Sequence, residues 1–336
     1  MIRTAAAMLM AAWTLLGAET MKIATYNVEN LFDLHYDGTE YVEYIPDTSW
    51  QWNRAHYDTK LRNIARVIAE MDADVIALQE VESLRALKDL KAAAKRAGCY
   101  YPYAAFAGAK NTTVKVALLS KYPIAYAKEL PVSASRKQRA ILEVKLDLHG
   151  TPLYLFVNHW KSKSGPESRR ILSAKALKKR LDALGHEQPF VLLGDFNSHY
   201  EEYRLFLTER KHNDTNGITG INHVLKTLYE GRAVTPDTLS QCSDCTYNLW
   251  YDLPEKERWT HNFYGQREAL DHIIISRGLA DGRGIEYVRG SFRRFAPDYL
   301  FKKRALFRWQ RSRKHPLHHT GKGYSDHLPV YALFRL

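Results

Sequence analysis

Residues 189–197, Pro189-Phe190-Val191-Leu192-Leu193-Gly194-Asp195-Phe196-Asn197, decide the architecture. An unbroken apolar run that stops on Gly194-Asp195 reads as a strand covered on both faces. It follows a helical stretch, 166–184, closed by Gly185, and before that lies a second apolar run, 153–158, which also ends on polar groups, Asn158-His159. The unit is strand, helix, strand. Working outward, 22–27 is a short strand entering a polar turn, and 33–53 is a loop rich in Tyr, Asp and Trp. Residues 57–71 carry Leu61, Ile64, Ala65, Ile68 and Ala69 at helical spacing, 73–80 is a strand, and 84–97 is a helix closed by Gly98. Residues 114–119 are β-like and turn out through Lys121-Tyr122-Pro123. Residues 140–147 alternate and pair with 153–158 through His149-Gly150 as an antiparallel hairpin. A further helix starts at 201–207, 211–265 is irregular, and 270–275 and 329–336 are the last strands. Helices between strands, with hairpins besides, predict a mixed-sheet α/β protein: two sheets packed face to face with helices outside.

A chain of 336 residues has ample length for a core, and 45% hydrophobic with 12% aromatic residues excludes a disordered chain. No linker or repeat divides it, so 21–336 is expected to be a single domain. Arg3 precedes an uncharged stretch, 5–18, that is too short to span a membrane and fits a secretory signal ending near Ala18. Export, to the periplasm or the medium of a bacterium, is the expectation; the alternative is that Met21 is the true start. Cys242 and Cys245 form C-x-x-C without a second pair to complete a zinc site, and a local disulfide is expected in an exported chain; Cys99 reads as buried and inert. The net charge of +12 is concentrated: residues 289–322 hold eleven Lys or Arg against one acidic residue, Asp298, which is +10. Such a segment favours a polyanion, nucleic acid or an anionic membrane surface. No protein partner is legible, and a monomer is expected.

Six polar segments stand at the ends of apolar runs or beside them: Tyr26-Asn27-Val28-Glu29-Asn30, Leu78-Gln79-Glu80, Asn158-His159-Trp160, Gly194-Asp195-Phe196-Asn197, Leu270-Asp271-His272 and Ser325-Asp326-His327. Each alone has an ordinary explanation as a strand tip, a capping group or an Asx turn. As a set they supply carboxylates, carboxamides and imidazoles. Glu80 suits a hard divalent cation, Asp195 a cation or a water, and Asn197 a phosphate oxygen. A histidine beside a carboxylate accepts a proton from water near neutral pH, and the carboxylate fixes its tautomer. Lys161 and Lys163 follow His159 and would draw an anion inward. The chain has no H-E-x-x-H and no G-x-S-x-G, which argues against zincins and α/β-hydrolase esterases, and no P-loop, which excludes P-loop nucleotide binders. Cation, histidines and carboxylates together point to hydrolysis of a phosphate ester.

In this order, Y-N-V-E-N, L-Q-E, N-H, G-D-F-N, L-D-H and S-D-H, the chain resembles the endonuclease/exonuclease/phosphatase superfamily, which includes pancreatic-type deoxyribonuclease, apurinic/apyrimidinic endonucleases, bacterial sphingomyelinases and inositol-polyphosphate phosphatases. The likeness runs from residue 23 to 330, and N-H-W-K-S-K at 158–163 is most similar to the bacterial extracellular nucleases. The resemblance implies a four-layer α/β sandwich with the site at one edge of both sheets. It also implies roles. Asn27 and Glu80 bind a cation, Mg²⁺ with Mn²⁺ or Ca²⁺ as alternatives. His159 stabilises the phosphoryl oxygen or leaving group, Asp195 orients water, and Asn197, with Asn158, contacts phosphate. Asp271 joins the metal and water network. Asp326 is a ligand or orienter and His327 the general base. Arg139 matches a phosphate-contacting arginine, with Arg136 and Lys137 as near competitors. The implied activity is in-line hydrolysis of DNA phosphodiesters. A phospholipid or inositol-phosphate esterase and a non-enzymatic polyanion binder remain as alternatives. Residues 289–322 are expected to lie over duplex DNA or anionic lipid.

Overall fold

A computed structural model describes residues 19–109, 112–135, 138–148, 150–209, 211–263 and 265–336. The expected leader, 1–18, and the competing Arg136 and Lys137 lie outside the described residues. Thirteen strands build the two large sheets: β1 (Thr20–Leu31), β2 (Val75–Val81), β3 (Tyr103–Phe106), β4 (Lys115–Ser120), β5 (Ile124–Leu130), β6 (Ile141–Leu148), β7 (Thr151–His159), β8 (Phe190–Asp195), β9 (Tyr247–Asn248), β10 (Asp271–Ile275), β11 (Glu286–Tyr287), β12 (Arg293–Arg294) and β13 (Val330–Arg335). The first sheet runs β11-β13-β1-β2-β4-β3, with β12 also on β13; the second runs β9-β10-β8-β7-β6-β5. Both are mixed. β1 and β2 are parallel, as are β7 and β8, and the neighbours on either side are antiparallel.

Alternation along each strand sorts the side chains into layers. Ile23, Val75, Ala77, Val116 and Leu118 of the first sheet meet Leu155, Val157, Val191, Leu193 and Ile273 of the second in one core. The opposite face of the first sheet, Ala24, Tyr26, Ile76 and Leu78, packs on Leu61, Ile64 and Ile68 of α1 (Arg54–Met71) and Leu87 and Leu90 of α2 (Leu84–Arg96). Phe156, Leu192 and Ile274 of the second sheet pack on Ala174, Leu177 and Leu181 of α3 (Glu167–Leu184). This is the four-layer α/β sandwich. Side chains cap the helices on the first sheet: Asn53 accepts from the backbone N–H of His56, and Ser83 from that of Ala86.

The two sheets present the same edge to the site. Parallel strands β1, β2, β7 and β8 end there, and the antiparallel β10 and β13 begin there. The polar turn expected after residue 27 is instead more strand. β1 continues to Leu31 through a register shift against β2, with Glu29 and Asn30 in the left-handed region (φ 50° and 58°). β2 has a matching irregularity against β4 at Glu80 (φ 66°). Bulges in adjacent strands re-aim side chains toward the strand ends. Among the described residues no helix is long and apolar enough to cross a membrane.

Candidate active site

At that edge is a cavity of about 730 Å³ whose lining includes Glu80, His159, Asp195, Asn197, Asp326 and His327. β8 brings Asp195 into it through Gly194. A Cβ at residue 194 would sit 2.1 Å from the carbonyl oxygen of Asn158, and φ is +129°, so only glycine lets β7 and β8 close here. Register then sets His159 opposite Asp195, and Asp195 opposite Asp271.

The carboxamide of Asn27, fully buried, donates to Asp195 Oδ2 at 3.0 Å and to Glu80 Oε1 at 3.3 Å, while the Asn30 N–H donates to Glu80 Oε2 at 2.9 Å. Asp195 Oδ1 accepts from the Asn197 N–H at 2.8 Å. His159 Nε2 stands 3.6 Å from Asp195 Oδ2 and 3.8 Å from Glu80 Oε1. From the other side His327 Nε2 stands 4.0 Å from the same Asp195 oxygen. His327 Nδ1 bonds Asp271 Oδ2 at 2.7 Å, and that oxygen also accepts from the Thr260 hydroxyl at 2.6 Å. The carboxylate that orients His327 is therefore Asp271. Asp326 lies 4.0 Å from the imidazole and pairs with Arg308 at 2.9 Å.

Burial and the Arg139 guanidinium hold His159 well below the usual histidine range, so it is neutral. Burial also disfavours a charged His327, but the Asp271 carboxylate bonded to it, with Asp195 and Asp326 nearby, raises it well above that range. Burial pushes Asp195 up to about 7 against the pull of His327, with Asp271 adding to the push. Glu80 is raised by burial and by Asp326. In Asp326 the cost of burial is outweighed by His327 and Arg308, and its carboxyl is lowered.

This donor set fits a divalent cation. Glu80, Asp195 and Asp326 line one cavity, Asp271 lies behind it with Oδ1 buried and without a hydrogen-bond partner, and the carboxyls of Glu80 and Asp195 are pushed toward neutrality. All-oxygen donors of this kind suit Mg²⁺, Mn²⁺ or Ca²⁺. Two tight clusters of ligand-type groups lie here: Asp195, Asp271 and His327, and His261, Asp326 and His327.

The expected anion contacts divide. Arg139 lines the cavity and donates to the Trp160 carbonyl at 3.2 Å. Lys163 lines it too, but is held by Glu202 at 2.9 Å and Glu268 at 2.5 Å. Lys161 is not among the lining residues, though its charge acts on His159. Asn158 is not in the cavity: it is fully buried, donates to the Phe156 carbonyl at 2.8 Å and accepts from the Trp160 indole at 2.9 Å, a packing duty set by its inward register. His272 likewise points away, bonded to Asn248 and the Ser198 carbonyl. Cys242 and Cys245 form a disulfide distant in role from the site, and Cys99 is buried.

Three further residues of the site, His261, Arg308 and Glu29, carry no assigned role in the sequence alone. His261 lies beside His327, the rings tilted by 41° with centroids 4.8 Å apart, and burial with His327 nearby lowers it to about 4. Arg308 binds Glu29 Oε1 at 2.6 Å and Asp326 Oδ2 at 2.9 Å, tying the basic segment to β1. Glu29 is itself raised to about 7 by burial and Asp326. The polarity of Y-N-V-E-N was a signal for Glu29; nothing local marks its partner. The segment 289–322 is thus partly internal, with Arg294 over the Trp259 ring and Arg311 on Glu43.

The profile of the Endonuclease/Exonuclease/phosphatase family matches residues 22–335. The chain belongs to this family. Its fold is similar to that of a humanized D. rerio TDP2 (13% identity, TM-score 0.59, 94% of this chain and 99% of that one). It is also similar to an endonuclease/exonuclease/phosphatase family protein from Bacteroides thetaiotaomicron (15%, 0.54, 94% and 98%) and a conserved protein of unknown function from Enterococcus faecalis V583 (16%, 0.53, 94% and 100%). At these identities the likeness is one of fold. No curated protein matches the sequence.

Proposed function

We propose that this protein is an exported, divalent-metal-dependent phosphodiesterase that hydrolyses nucleic acid, DNA in the first place, by in-line attack of water. One observation carries the reading: two histidines, one at the end of β7 and one in the approach to β13, face the same Asp195 oxygen, one neutral and one held by a carboxylate. His327, its Nδ1–H fixed by Asp271, takes the proton of a water oriented by Asp195 at Nε2. His159 donates a hydrogen bond to the phosphoryl or leaving oxygen on the other side, and the Asn197 amide and Arg139 bind the remaining oxygens. Glu80 and Asn27, with Asp326 near, are the residues that would hold Mg²⁺, whose chemistry when bound is to neutralise the non-bridging oxygens. The charge of +12 favours a polyanion, and N-H-W-K-S-K at 158–163 favours the bacterial extracellular nuclease branch.

The deciding experiment is a substrate panel with Mg²⁺: duplex and single-stranded DNA, RNA, sphingomyelin and inositol phosphates. Nucleic acid cleavage that EDTA abolishes, and that is lost in His159→Ala and His327→Ala proteins of unchanged circular dichroism, is the expected result. Cleavage that persists in both variants, or turnover confined to the lipid or inositol substrates, overturns the reading.

A further inference from the structure

A second cavity, of about 660 Å³, adjoins the catalytic one and shares Phe263, Arg308 and Asp326 with it. Two small hairpins flank it: His261–Phe263 with Gln266–Glu268, and Phe301–Lys302 with Ala305–Leu306. Its cations are Lys302, Lys303, Arg308 and Arg313; among the described residues that line it, Asp326 is the one carboxylate, and Arg308 already meets that charge at 2.9 Å. Its apolar surface comes from Phe263, 56% exposed, together with Leu306 and Phe307. Lys302 Nζ lies 5.1 Å from the centre of the Phe307 ring.

The tip of the second hairpin is unusual in its residues. Lys303 and Arg304 form a two-residue turn with φ of 50° and 66°, a left-handed pair of positions that Asn-Gly fills without strain. Here both are exposed cations. The chain sets charge at the rim where turn chemistry alone would choose otherwise.

We propose that this second cavity seats an unpaired nucleotide next to the scissile phosphate, so that the preferred substrate is a single-stranded polynucleotide. Cations that follow a phosphate backbone beside an exposed ring on which a base stacks are the two elements of single-strand binding. The volume falls within the range of about 300–1,000 Å³ typical of small-ligand sites. A base in a duplex has both faces covered by its neighbours, so it cannot bring a face to Phe263. This inference rests on the nuclease reading and names the form of its substrate.

The test is fluorescence anisotropy of the full chain in EDTA with a short labelled DNA strand, alone and annealed to its complement. In parallel, Mg²⁺-dependent hydrolysis of both DNAs and of bis(p-nitrophenyl) phosphate is followed. The single strand is expected to bind about ten-fold tighter than the duplex. A Lys302→Ser/Lys303→Ser protein should lose about ten-fold of that affinity and show a flatter salt dependence. Phe263→Ala should weaken binding by about five-fold or more, and Phe263→Tyr, which keeps the ring, should restore it. Duplex binding as tight as single-strand binding, or single-strand affinity indifferent to Phe263→Ala, overturns the proposal and leaves the nuclease reading standing if DNA is still cut. Hydrolysis of the aryl diester with no DNA cut in either form overturns both.

Discussion

Asp271 and His327 lie 56 positions apart in the chain and meet in a 2.7 Å bond between Oδ2 and Nδ1, with both side chains buried. The bond leaves Nε2 as the only imidazole nitrogen free to face the cavity. In an Asp271→Asn protein the carboxamide bonds Nδ1 without holding the imidazolium, so turnover should fall about 10²–10⁴-fold. Asp271 raises His327, so its loss lowers it, and the limb of the pH–rate profile that requires neutral His327 should move toward acid. A limb that stays in place would assign it to another group. Hydrolysis of an aryl phosphodiester across pH reads both quantities.

Glu29 is almost fully buried and Arg308 half exposed, so the pair is unequal. Arg308→Gln leaves a buried carboxylate without its cation and should cost about 2–4 kcal/mol, less than for a fully buried pair because water reaches the arginine. Glu29→Gln with Arg308→Gln should recover part of that loss. Urea unfolding of the single and double variants measures the coupling, and an additive cycle would contradict it.

Gly194→Ala places a Cβ 2.1 Å from the Asn158 carbonyl oxygen at φ +129°. The expected cost is about 3 kcal/mol. Turnover should suffer more than this cost explains, because forcing β7 from β8 moves His159 away from Asp195. Unfolding and activity of the same protein separate the two effects.

Glu82 is buried beside Asp33, and burial with that neighbour raises it to about 7. The unfolded chain releases this proton near the ordinary glutamate value and the folded chain only near 7. The folded state therefore binds more protons between them, and stability contributed by this group is full below about 4.5 and is lost as pH rises through 7. Glu82→Gln should raise the melting temperature at pH 8 by the equivalent of about 1–3 kcal/mol and change it little at pH 4. Equal shifts at both values would place the titration elsewhere.

Much of the site was legible because strand ends are legible. Asn27, Glu80, His159, Asp195, Asp271 and His327 each sit where an apolar run stops or starts, and mixed sheets bring such ends to one edge. What escaped had physical reasons. β5 alternates weakly and has no buried residue, three of its seven being exposed, as at a sheet edge, so its sequence carries little contrast. β3 is a four-residue edge strand. The left-handed backbone at Glu29, Asn30 and Glu80 is imposed by pairing between β1, β2 and β4, and glutamate has no local preference that announces it. Arg308 reaches Glu29 across 279 positions, and only the folded chain joins them. The same holds for duties within the site: Asn158 and Asn197 are both carboxamides near strand ends, and inward register alone gives one to packing and leaves the other on the cavity.

Asn27, Glu80 and His327 belong to the first sheet and its approach, while His159, Asp195 and Asp271 belong to the second. The candidate site is therefore bisected by the hydrophobic layer between the sheets, and its alignment is only as good as the fit of residues such as Val157 and Ile23 within that layer. The geometry of the site is a gauge of how the two halves are seated on one another, sensitive to a slip too small to register as unfolding.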